Sequence, residues 1–78
     1  MESLYVGFTL GDIVGLAHEH TLTYQECAGI LEEELIRRFP WIDPDKLYSQ
    51  IKNQAANDLD YCERLVNAGK KLEEAVKS

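Results

Sequence analysis

Residues 43–78 read DPDKLYSQIKNQAANDLDYCERLVNAGKKLEEAVKS, and how this stretch is parsed decides the fold. Asp43-Pro44 is a helix start. The aspartate carboxylate can accept from the free amides of the first turn, and Pro44 fills the first helical position, where its missing N–H costs nothing. Asp45 then suits the positive end of the helix dipole. With Tyr48 at position a of a heptad, the a positions are Tyr48, Ala55, Cys62, Gly69 and Val76, and the d positions are Ile51, Asp58, Leu65 and Leu72. Leu59 and Val66 fall at e, beside this stripe. The stripe is apolar with one acidic break at Asp58, and no stop signal precedes Gly69. One long C-terminal helix over 44–78 is therefore expected. Gly69 is its ambiguous point, because glycine costs a helix interior about 1 kcal/mol against alanine and is also favoured just past a helix end. A continuous helix is the preferred parse, and a stop near Ala68 the alternative.

Length supplies the next step. About 35 helical residues at 1.5 Å each span roughly 52 Å, whereas upstream helices of about 10 and 16 residues reach roughly 39 Å end to end. Part of the stripe then lacks a cover within its own chain, and the small residues Ala55, Cys62 and Gly69 would let another helix backbone approach closely. Self-association as a homodimer or higher oligomer is expected, through Ile51, Ala55, Leu59, Cys62, Leu65, Val66, Gly69 and Leu72.

Upstream, Met1–Phe8 is short and irregular and is expected to form an arm packed on a helical bundle. Thr9-Leu10-Gly11-Asp12 resembles a capping box with Asp in place of Glu, starting a helix at Leu10 whose stripe is Leu10, Ile13, Val14 and Ala17. Thr23-Tyr24-Gln25-Glu26 is a capping box in full, with Leu22 and Cys27 placed as a hydrophobic staple. The second helix carries Cys27, Ile30, Leu31, Leu35 and Phe39 on one face. Its Glu33/Arg37 and Glu34/Arg38 pairs have the favourable i, i+4 order. Pro40 disfavours helical geometry at Phe39 and ends this helix. Phe39-Pro40-Trp41-Ile42-Asp43-Pro44 is a stiff connector, and Trp41 is expected to plug the core, with an exposed partner anchor as the alternative. The expected fold is thus all-α in a single domain, with arm 1–9, helical hairpin 10–39, connector 40–43 and long helix 44–78, completed by oligomerisation.

At 78 residues, with 45% hydrophobic and 28% charged content, the chain has the composition of a folded soluble protein. A single core of this size supplies only about 3–5 kcal/mol, which association would supplement. Cys27 and Cys62 are too few for a secreted disulfide scaffold and fall on apolar helix faces; buried thiols are expected, with an internal disulfide or thiol switch as the alternative. No basic segment precedes an apolar run and no window of 18 apolar residues exists, so a cytoplasmic location is expected.

The net charge of −6 is unevenly distributed. Glu2, Asp12, Glu19, Glu26, Glu32, Glu33 and Glu34 precede the first cation, Arg37. Arg64, Lys70, Lys71 and Lys77 then outweigh Glu73 and Glu74 at the C-terminal end. Such a layout repels nucleic-acid and membrane phosphates and attracts basic protein surfaces, although an acidic face that merely keeps the chain soluble is equally well accommodated.

No constellation carries chemistry. The hairpin 10–39 has helix-turn-helix spacing, with Ala17, Leu22, Cys27 and Ile30 at its small and apolar positions, but a DNA-reading helix neutralises phosphates with Lys or Arg. The second helix here opens Tyr24-Gln25-Glu26 and continues Glu32-Glu33-Glu34. His18 and His20 are two apart near a helix end and would point in different directions rather than converge on a metal, and the cysteines are single rather than in a C-x-x-C pair. Asp58, Asp60 and Glu63 do not form a facing carboxylate pair, and no serine has a base partner. A non-enzymatic interaction protein is expected, with no cofactor, no metal, no membrane association and no direct nucleic-acid binding. It would act as an acidic regulator, inhibitor or adaptor on a basic surface of a target protein, for example by covering a nucleic-acid-binding site. The expected contact residues are Glu26, Glu32, Glu33, Glu34, Trp41 and Tyr61. A helix-turn-helix-like regulator within a larger DNA-bound complex is the alternative.

Overall fold

A computed structural model describes residues 7–77, so most of the expected arm lies outside the described residues. The described residues are all-helical: α1 Leu10–His18, α2 Tyr24–Arg38, α3 Pro44–Gln54 and α4 Asp58–Lys77.

Both capping boxes form where the sequence places them. The Thr9 hydroxyl accepts from the Asp12 amide at 3.0 Å and the Asp12 carboxylate accepts from the Thr9 amide at 3.2 Å. Thr23 and Glu26 repeat the exchange, each bond at 3.1 Å. The chain leaves α1 through a Schellman turn: the His20 amide donates to Ala17 at 3.1 Å and the Thr21 amide to Leu16 at 2.9 Å. His20 takes the left-handed conformation that such a turn requires, with φ of 63°. α2 stops before Pro40 as expected, with Phe39 as its cap.

The single long helix expected over 44–78 does not form. It is cut at Ala55, whose backbone is extended with ψ of 136°, and helix resumes at Asp58. The cause is a local cap that outbids the heptad. Asn57 Oδ1 accepts from the Asp60 amide at 2.8 Å, and the Asp60 carboxylate reaches back to the Ala56 amide at 2.9 Å. Arg64 Nε in turn holds the Asp60 carboxylate at 3.0 Å. Short polar side chains offer the backbone an alternative to continued helix, and here two of them do so within one turn. The longest dimension of the described molecule is accordingly 34 Å, well short of the roughly 52 Å of an unbroken rod.

The break folds α4 back over α1, α2 and α3, all of which it touches. Ile13, Cys27, Leu31, Leu35, Cys62 and Leu65 are fully enclosed, contributed by α1, α2 and α4. Beyond the break, α4 does continue through Gly69, as the preferred parse has it. The close approach expected at Gly69 is also present, but the neighbours are Leu10 and Leu35 of the same chain.

Candidate interaction surface

The stripe assigned to self-association is occupied from within. Ile51, Cys62, Leu65, Val66 and Gly69 are buried by the chain's own helices, and Ala55, Leu59 and Leu72 are half-buried. The mismatch of lengths that called for a second copy disappears with the rod.

The six residues expected to face a partner do not share one surface. Tyr61 is buried, and its hydroxyl donates to Glu32 Oε2 at 3.1 Å. Tyr48 donates to the Glu32 carbonyl oxygen at 2.5 Å, so Glu32 is the knot that joins α2, α3 and α4. Burial together with the Glu32 charge pushes the Tyr48 phenol up to about 12, and the same two causes raise Tyr61. Lys52 lies over the outer face of the Tyr61 ring, 5.6 Å from its centre. Glu34 is also withdrawn from solvent, at 2% exposure. Arg38 Nε stands 3.3 Å and Arg37 Nε 3.8 Å from its carboxylate oxygens. Its Oε2 receives no hydrogen bond among the described residues. A glutamate on the core side of α2 thus becomes an internal counterion for two arginines rather than part of an acidic face. Glu26 and Glu33 remain exposed. Glu26 is already engaged in its capping box, and the Thr23 hydrogen bonds hold its carboxyl below the usual range.

Trp41 is the residue that the fold presents. The expected core plug is instead 62% exposed. Phe39 takes the buried place, and Trp41 meets the Phe39 ring edge-on at 5.6 Å between centres. The Ile42 amide donates to the Phe39 carbonyl at 3.2 Å, closing a turn over Pro40 and Trp41. The Asp43 carboxylate then caps α3 at the Lys46 amide, 3.2 Å away. Trp41 is therefore held between one helix end and one helix start, each fixed by its own hydrogen bond. Next to it in the chain, Ile42 joins Asp43, Lys46, Leu47, Gln50 and Leu72 around an open, mainly apolar groove of about 260 Å³ between α3 and α4. Ile36, at 44% exposure on the outer side of α2, adds a further apolar side chain. Its signal was present in the sequence, since Ile36 lies off the stripe of Cys27, Leu31 and Leu35.

Comparison with known protein families, with curated proteins and with solved structures finds no match. The functional reading rests on the chain's own chemistry. Among the described residues, no group of three His, Cys, Asp or Glu side chains is placed to hold a metal ion, and no helix is long and apolar enough to cross a membrane.

Proposed function

We propose that this chain is a non-enzymatic interaction protein that docks a basic target protein around Trp41. The observation that carries the reading is the exposure of the chain's only tryptophan, 62% open to solvent in a connector stiffened by Pro40 and Pro44. A small domain gains most by burying its largest side chain, and a tryptophan left outside on a rigid turn has the character of an interface anchor. The groove beside Ile42, Leu47 and Leu72 offers a place for an apolar side chain of the partner next to that anchor. A net charge of −6 supports a basic partner, because the field of the whole molecule draws cations in and keeps polyanions away. Inhibition or adaptation by occupancy follows from such binding without any chemistry on this chain.

Trp41 is its own reporter. Its emission is followed while a panel of cationic amphipathic peptides, with anionic peptides as controls, is titrated at low and high salt. A blue shift with cationic peptides, weakening as salt rises and abolished in binding assays by Trp41→Ala, is the expected result. Binding that leaves Trp41 emission unchanged removes the anchor, and binding indifferent to salt removes the electrostatic part.

A further inference from the structure

Cys27 and Cys62 are both free and both without exposed surface, and the interaction surface uses neither. They come from α2 and α4 and meet at one point. Cys62 Sγ donates to the Tyr24 carbonyl oxygen at 3.3 Å. Tyr24 lies one turn before Cys27, and a helical side chain leans back over its own N-terminal turn, which brings the Cys27 sulfur toward the part of α2 that Cys62 reaches. Cys27 Sγ also reaches the Ile13 carbonyl oxygen of α1 at 3.6 Å. Each thiol donates to a backbone carbonyl, Cys27 to Ile13 and Cys62 to Tyr24, and each sulfur acts on the other: burial raises Cys27 and the adjacent Cys62 partly offsets the rise, while burial and then the neighbouring Cys27 push Cys62 up to about 12.

We infer that Cys27 and Cys62 form a latent redox clamp, a dithiol that closes to an intramolecular disulfide between α2 and α4 when a hydroperoxide gains access to it. One thiolate of the pair attacks a peroxide oxygen, the O–O bond breaks, and hydroxide leaves to become water on taking up a proton. That sulfur is then a sulfenic acid. The other sulfur attacks it, the S–S bond forms, and the second oxygen leaves as water with the remaining proton. Two thiols and one hydrogen peroxide give one disulfide and two waters, the sulfurs losing the two electrons that the peroxide gains.

In the closed fold the pair is inert, being enclosed and mostly protonated, so the rate of reaction follows the opening of α2 from α4. The chain between the two sulfurs contains the connector and all of α3. Oxidation therefore ties together the two helices on either side of the Trp41 turn and fixes its presentation.

The test treats the full chain with hydrogen peroxide in buffer and in urea up to the unfolding midpoint, followed by intact-mass and peptide analysis. The expected result is a loss of about 2 Da in a single-chain species, with a Cys27–Cys62 linked peptide and reversal by dithiothreitol. Its rate rises with urea, and the oxidised chain melts several degrees higher. Dimedone should trap a sulfenic acid in Cys62→Ala or in Cys27→Ala, where no second sulfur resolves it, and far less in the wild-type chain. Oxygen adducts or chain-to-chain disulfides in place of the 2 Da loss overturn the inference, as does absence of that loss at the urea midpoint. The wild-type measurement stands even if either alanine variant fails to fold.

Discussion

Gly69 shows how one missing side chain sets the distance between helices. A Cβ built there would lie 2.1 Å from Leu10 Cδ1 and 3.1 Å from Leu35 Cδ2. Leu10 can swing its tip aside, but Leu35 is fully enclosed and has nowhere to go. In an unobstructed helix, Gly69→Ala would gain about 1 kcal/mol, and continuity of α4 by itself would make the change mild or stabilising. Crowding reverses that sign: overpacking costs about 1–3 kcal/mol. Gly69→Ala should therefore lower stability by about 1 kcal/mol net in urea denaturation, with Gly69→Leu much worse. Adding Leu10→Ala to Gly69→Ala should recover part of the loss specific to the clash, read as a favourable coupling in the double-mutant cycle. At this scale the sequence told that Gly69 needs a close neighbour, but not which helix supplies it. Periodicity misplaces Glu34 and Trp41 for a related reason. Periodicity assigns a side chain to a face, but whether a buried carboxylate is rescued by Arg37 and Arg38, or a tryptophan is displaced by Phe39, depends on contacts that periodicity does not contain.

Elements were most legible where the backbone's own hydrogen bonds decide them. Thr9…Asp12, Thr23…Glu26 and Asp43-Pro44 each start a helix where their side chains can cap it, and Pro40 stops one. The same chemistry is present at Asn57-Asp58-Leu59-Asp60 but is masked, because the heptad runs across it without a phase error. Tyr48 and Ile51 before the break and Cys62 and Leu65 after it keep their apolar positions, so the pattern gives burial on both sides but carries no sign of the change of direction. Asn57→Ala tests what makes the break. Loss of a helix cap costs about 1 kcal/mol, and Asn57→Ala should destabilise the chain by that amount while Asn57→Asp or Asn57→Ser leaves it close to wild type. A gain in stability and in helical circular dichroism on the alanine change would instead mean that Asn57 forces apart two helices that would rather be one.

For the whole molecule, the break at 55–57 decides whether a second copy is needed. An unbroken rod would project beyond the upstream helices and leave Leu65, Val66 and Leu72 wanting a cover from outside. Folded back, α4 finds that cover in α1, α2 and α3, and the longest dimension contracts to 34 Å. Burying Leu65 and its neighbours internally is then expected to stabilise the single chain without a contribution that depends on how many copies are in solution. Two measurements follow together. Leu65→Ala, which empties a fully enclosed position, should cost about 2–5 kcal/mol, and the melting temperature of the wild-type chain should stay constant over about a hundredfold range of protein concentration. A melting temperature that climbs with concentration would restore an association step to folding. Since the stripe itself is largely covered inside the chain, that step would have to run through apolar surface that the fold leaves open, such as Trp41, Ile36, Phe8, Val76 and the groove at Leu72. Trp41→Ala would then flatten the concentration dependence, whereas Leu65→Ala would lower every point of the curve alike.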